Sequence, residues 1–171
     1  MGITVAAFVA GLMTWTLLEY VIHGVMAHLR NTFVTRIHAI HHSDPYAVFA
    51  IKAWLPSVAI LIVLLGLFGP APGVVFYLGL ACGFAAYEIL HYRIHFAASL
   101  MPFERRLRDH HLVHHLRRPM MCLGVVTNFW DKVFGTEPAR QELAMLRASV
   151  KDVKPLTGPS NLHRLISSFL S

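Results

Sequence analysis

Two long stretches of the chain carry no charged side chain, residues 1–18 and 53–87. Around them, histidine, arginine and acidic residues return at short intervals. A helix crossing a bilayer needs roughly 20 apolar residues, so this pattern predicts three spans. The first covers about residues 2–22, "GITVAAFVAGLMTWTLLEYVI". The second covers about 48–68 and ends in "VAILIVLLGLF". "GPAPG", Gly69–Gly73, breaks the helix, and the third covers about 74–90, "VVFYLGLACGFAAYEIL". The expected fold class is all-α: a polytopic integral membrane protein with about three transmembrane helices and a cytoplasmic helical cap. A single domain over 1–171 would hold polar, histidine-rich regions at 23–47 and 91–136 and a C-terminal tail at 137–171.

Inside the polar segments the histidines are regularly spaced. "HAIHH" places His38, His41 and His42 at i, i+3 and i+4, and "HLVHH" does the same with His111, His114 and His115. "HYRIH" places His91 and His95 at i and i+4. Residues three and four apart share a helix face, so each motif aims its imidazoles at one point. His23 and His28, in "HGVMAH", are five apart. That is about 140° around an ideal helix, so the pair shares a site only if the helix ends or bends between them, as Gly24 permits.

Composition and charge give the map a direction. Charged residues make up 14% of the chain, well below the roughly 25% of soluble domains. The start has no basic segment, and its apolar run ends at Glu19 and His23, unlike a signal peptide. Cys82 and Cys122 make no disulfide framework. Arg30, Arg36 and Lys52 follow the first span, and Arg93, Arg105, Arg106, Arg108, Arg117 and Arg118 follow the third. The positive-inside rule places these segments in the cytoplasm, at a bacterial inner membrane or the endoplasmic reticulum. The net charge of +6 then faces anionic lipid. A nucleic-acid partner fits this charge poorly, because the basic residues sit beside the spans, and none is expected. Of the twelve histidines, eleven fall in 23–42 and 91–115, on that one side.

Neutral imidazole suits zinc, copper, iron and nickel. Ten converging imidazoles are too many for one ion and suit two, at about four to six each. Carboxylates near them are few: Glu19, Asp44, Glu88 and Asp109. The expected role of these acids is to fix imidazole tautomers by accepting the other ring N–H. Glu19 lies four before His23, and Glu88 three before His91.

The motifs together resemble the membrane fatty acid hydroxylase and sterol desaturase superfamily. The resemblance runs from "LEYVIHGVMAH" (Leu18–His28) through "HAIHH" and "YEILHYRIH" to "HHLVHH" and closes on "NFWDKVFGT", Asn128–Thr136. Within the superfamily the chain is most similar to the fatty acid or ceramide 2-hydroxylase branch. The resemblance implies two iron ions ligated by His23, His28, His38, His41, His42, His91, His95, His111, His114 and His115, with zinc able to take their place. It implies dioxygen as co-substrate and hydroxylation at the 2-position of a lipid acyl chain entering from the membrane. It further implies a separate electron-donor protein, since many relatives carry a fused haem donor domain for which this chain has no room. Familiar eukaryotic members have about four spans, against three here.

Several residues stand apart. His110 breaks the ligand spacing and belongs beside the ligands. His163 lies in "NLHRLISSFL", an amphipathic tail with Leu162, Leu165, Ile166 and Phe169 on one side. "WDKVFGT" reads as structural, with Trp130 an interfacial anchor and Gly135 a helix C-cap. "ERRLRD", Glu104–Asp109, is a solvated face or a dock for an acidic donor. Other classes fit less well. A carotenoid or sterol-like substrate would use the same chemistry. A metal transporter would need ionisable residues along its spans, and 53–87 has none. An intramembrane zinc protease would need "HExxH", which is absent.

Overall fold

The computed structural model describes residues 2–28, 32–54 and 56–170, and among these every regular element is helical. Helix α1 (Gly2–Glu19) continues without a break into a π-helical turn, Tyr20–Met26. Then follow α2 (Phe33–Ser43), a 3₁₀ turn at Ile51–Trp54, α3 (Ser57–Phe68) and the long α4 (Pro70–Phe96). The chain finishes with α5 (Pro102–Leu116), α6 (Phe129–Phe134), α7 (Arg140–Val150) and α8 (Asn161–Leu170). Arg30, one of the basic residues that follow the first span, lies outside the described residues.

Helices α1 and α4 run parallel and pack with their backbones close together. A side chain on Gly11 would collide with the Phe76 carbonyl, and one on Gly79 with the Phe8 carbonyl. Small residues at such crossings let membrane helices associate without a hydrophobic driving force. Further along, Trp15 stacks on Phe84 with centroids 4.8 Å apart. The shared direction delivers His23 and His91 to the same end of the pair, 6.2 Å apart. The charge-free part of α4, residues 70–87, rises about 27 Å, close to the roughly 30 Å hydrocarbon layer. The histidines therefore begin where the apolar slab ends.

Thr4–Met26 and Pro70–Phe96 are long and apolar enough to cross a membrane. The expected middle span is different. α3 has 12 residues and rises only about 18 Å. Residues 48–50 are irregular and 51–54 form the 3₁₀ turn. Pro56, which lacks an N–H and clashes inside a helix, stands just before α3. Non-helical backbone at membrane depth survives where protein satisfies its polar groups, and here it does. Phe49 N–H donates to Asn161 Oδ1 (3.0 Å), and its carbonyl accepts from Asn161 Nδ2 (2.9 Å). Ala50 N–H donates to Glu88 (3.2 Å), and Val48 O accepts from His91 Nδ1 (3.2 Å). The break expected across "GPAPG" is confined to Gly69, at φ 77, because Pro70 already occupies the first turn of α4.

Residues 137–170 are tied to the rest of the chain. Leu143 and Val150 of α7 join Leu112, Val113 and Cys122 in a buried cluster under α5. Leu156 N–H donates to His95 O (2.8 Å). Helix α8 keeps Leu165, Ile166 and Phe169 exposed on one face.

Candidate metal centre

Four elements bring the histidines together. Thr32 caps α2, its hydroxyl accepting from Thr35 N–H (3.0 Å), and the helix then turns His38, His41 and His42 inward. α4 extends six residues past the expected 90 to Phe96, so His91 and His95 lie on one continuous helical face. Arg93 Nη2 donates to Glu104 Oε2 (2.8 Å), which ties the end of α4 to the start of α5. α5 then presents His111, His114 and His115.

The His23–His28 pair is reconciled by neither an end nor a bend. The π-helical turn at Tyr20–Met26 has i→i+5 bonding, which widens the turn so that positions five apart come close to one face. His23 and His28 both reach His38, with centroids 4.7 and 5.0 Å away.

The ten histidines form one continuous cluster containing two tighter groups. His41, His91, His95, His111 and His115 each place a ring nitrogen within 4.8 Å of the others, and so do His23, His38 and His114. His42 joins the two, stacked on His115 at 4.1 Å and with Nε2 3.1 Å from His114 Nε2. His28 lies 5.3 Å from His114, beside the smaller group.

The chemistry of this donor set fits two cations. His91 and His114 each donate Nδ1–H to a backbone carbonyl, Val48 O and Met121 O, which leaves Nε2 a bare lone pair. These lone pairs face other ring nitrogens, His91 to His111 at 3.1 Å and His114 to His38 at 3.4 Å, and His95 Nε2 stands 3.0 Å from His111 Nε2. Donors about 2.1 Å from one ion stand about 3.0–3.4 Å apart. Nε2 of His23, His28 and His115 is buried without a hydrogen-bond partner, a costly state unless a cation completes it. Burial first, then neighbouring imidazoles, holds His38, His41, His111, His114 and His115 below the ordinary histidine range; burial does the same to His28 and His42. They are neutral at pH 7, as metal ligation requires.

The carboxylates do not play the part expected of them. Glu19 accepts from Val125 N–H (3.0 Å) and Glu88 from Ala50 N–H, so neither acid meets the histidine on its own helix. Carbonyls from distant loops hold the rings instead, His23 Nδ1 donating to Leu123 O at 2.8 Å. His110 turns away from the cluster and is fully buried, with Nε2 3.0 Å from Asp131 and Nδ1 3.1 Å from Arg147. His163 is exposed on α8. Sequence reasoning passed over Asp131, whose available signal was a lone acid inside the apolar "NFWDKVF".

Two cavities flank the centre. One of about 340 Å³ is lined by His23, His38, His41 and His91 at one end and by apolar residues such as Ile37, Phe49 and Phe84. The irregular 47–50 segment forms part of its wall. The other, about 610 Å³, lies behind His110 and is rimmed by Arg106, Lys132, Arg140 and Arg147.

Comparison with known proteins agrees with this architecture. Residues 8–136 match the family described as Fatty acid hydroxylase. A dihydroceramide fatty acyl 2-hydroxylase of Arabidopsis thaliana is 34% identical over 139 residues, covering 75% of this chain and 59% of its own length. A ceramide very long chain fatty acid hydroxylase of Saccharomyces cerevisiae is 31% identical, covering 75% of this chain and 37% of its own. The solved structure of full-length scs7p, with only its hydroxylase domain visible, superposes with a TM-score of 0.70 at 26% identity, covering 91% of this chain and 59% of that one. The chain thus spans less than two thirds of the length of these relatives. On its match over residues 8–136 and its identity to these enzymes, the chain belongs to the fatty acid hydroxylase family.

Proposed function

We propose that the chain is an oxygen-dependent lipid hydroxylase that converts an acyl CH₂ at the 2-position to CHOH. The observation that carries this reading is the meeting of two all-imidazole groups with one end of the apolar cavity. The printed names of the relatives, 2-hydroxylases of fatty acyl and ceramide substrates, support the same assignment.

His41, His91, His95, His111 and His115 would hold one ion, and His23, His38 and His114 the other, with His28 and His42 completing the coordination. Bound iron at these positions supplies the activation of dioxygen and the oxidation of an aliphatic C–H. The overall balance is RCH₂COX + O₂ + 2e⁻ + 2H⁺ → RCH(OH)COX + H₂O. Everything else falls to the protein. Carbonyls of Val48, Met121 and Leu123 hold Nδ1–H of His91, His114 and His23, so each ring keeps one tautomer and one orientation. Ile37, Phe49 and Phe84 exclude water and fit a saturated chain. The cavity volume falls within the usual 300–1,000 Å³ of ligand pockets. A substrate whose tail lies among α1, α3 and α4 would keep its carbonyl end at the polar boundary and offer its second carbon to the metals.

The two electrons come from a separate donor protein, and the basic rim of the cavity behind His110 is charge-complementary to an acidic one. The histidine end faces the cytoplasm, with the Arg-rich segments.

Lipid mass spectrometry of a host expressing the chain, beside a His114→Ala control, tests the reading. The expected result is one added oxygen at acyl C2, absent from the control. Unchanged acyl lipids, or equal product from the His114→Ala variant, would overturn it.

A further inference from the structure

The turn that supplies two of the orienting carbonyls, residues 121–125, has little regular structure of its own. It is nevertheless almost wholly buried: Cys122 and Val125 are 0% exposed and Leu123 is 4%. Cys122 sits at φ 58, a left-handed conformation that side-chain-bearing residues rarely adopt and that persists only where the surroundings enforce it.

The enforcing group is Asp131, itself 0% exposed. Oδ1 accepts from Leu123 N–H (2.7 Å) and from the Thr136 hydroxyl (2.7 Å). Oδ2 accepts from Gly124 N–H (2.9 Å) and faces His110 Nε2 (3.0 Å). Cys122 N–H donates to Thr136 O (3.0 Å), closing the turn against the end of α6. A side chain on Gly124 would strike the Thr127 carbonyl, so the backbone can approach the carboxylate only as glycine. The carbonyls that leave this turn run to His114, from Met121, and to His23, from Leu123. Both histidines belong to the smaller group. In the larger group His91 is held from elsewhere, by Val48 O.

We infer that Asp131 is a positioning residue for one metal and not the other: by clamping the 121–125 turn it aims His23 and His114, the ligands of the His23–His38–His114 site. His110 extends the clamp, joining Asp131 to Arg147 at the basic cavity (3.1 Å). This rests on the two-metal reading above, but not on hydroxylation.

The test is zinc titration of the full-length, chelator-stripped protein in detergent, with metal counted by elemental analysis. Three proteins are compared: wild type, Asp131→Asn and Leu143→Ala. Asparagine keeps the shape but turns one acceptor into a donor facing Gly124 N–H. Leu143→Ala weakens the α5–α7 cluster, in which Cys122 also packs, without removing any hydrogen-bond partner of Asp131. Wild type should bind two zinc ions. Asp131→Asn should bind the first normally and the second about 10–100-fold more weakly, the usual cost of losing a partner that orients a ligand. Leu143→Ala should melt earlier yet bind two. The inference is overturned if Asp131→Asn binds both ions like wild type, if it loses both equally, or if Leu143→Ala shows the same selective loss. Wild-type protein that binds fewer than two ions overturns this inference together with the two-metal reading. Two ions without hydroxylase activity would overturn the reaction alone and leave the clamp standing.

Discussion

Removing the metals should make the protein acid-labile in a specific pH window. His41, His111, His114 and His115 are all held well below the ordinary histidine range, by burial first and by neighbouring imidazoles second. Above pH 6.5 these groups are neutral in both folded and unfolded chains and contribute no pH slope. As pH falls below 6.5 the unfolded chain takes up protons that the folded chain cannot, so stability drops. Each group contributes about 1.4 kcal/mol per pH unit in this range. At pH 5.5 the four together cost at most about 5–6 kcal/mol, the limit in which none is protonated in the folded chain, against a whole stability of about 5–15 kcal/mol for a typical domain. Thermal melts of chelator-treated protein, followed by tryptophan fluorescence from pH 8 to pH 5, measure this directly. The melting temperature should be flat above pH 7 and collapse by pH 5.5. Metal-loaded protein should hold on to lower pH, because protons must first displace the ions. A melting temperature for the metal-free protein that does not change between pH 7.5 and 5.5 would refute the neutral buried cluster.

Other consequences can be checked more briefly. His115→Ala should lower metal content and abolish turnover, whereas His163→Ala, exposed on α8, should change neither by more than a factor of two. Reversing charge at the basic cavity with Lys132→Glu and Arg140→Glu should slow reduction by an acidic donor and flatten its salt dependence, with metal content unchanged; stopped-flow reduction at two ionic strengths reads this. Gly79→Leu, which would force apart α1 and α4 at the Phe8 carbonyl, should cost about 1–3 kcal/mol of stability, seen as an earlier melt.

Local spacing made much of the centre legible. The i, i+3, i+4 histidines of α2 and α5 needed only helical geometry, and the helices present them as the spacing requires. What needed more than local geometry was harder to read. The π-helical turn at Tyr20–Met26 widens the helix by one residue per turn, and nothing in "YVIHGVM" encodes that apart from the surroundings. Hydropathy read 48–68 as one span, because apolarity does not distinguish a helix from irregular backbone satisfied by Asn161 and Glu88. Spacing pairs Glu19 and Glu88 with histidines one turn away, whereas the two acids accept from the peptide N–H groups of Val125 and Ala50 and the rings of His23 and His91 donate to backbone carbonyls, groups identical at every residue and invisible to sequence patterns. Asp131 suffered the same way: its partners are peptide N–H groups of Leu123 and Gly124, brought to it by a turn.

The proposed hydroxylation requires the oxygen of the new hydroxyl at the second carbon of the acyl chain to come from dioxygen. The most direct measurement is to supply oxygen-18 dioxygen to cells expressing the chain and determine the isotope in their 2-hydroxy acyl lipids. One heavy oxygen atom is expected in the C2 hydroxyl, and none when the label is supplied as water. A hydroxyl labelled from water, or heavy oxygen absent from C2, would contradict it.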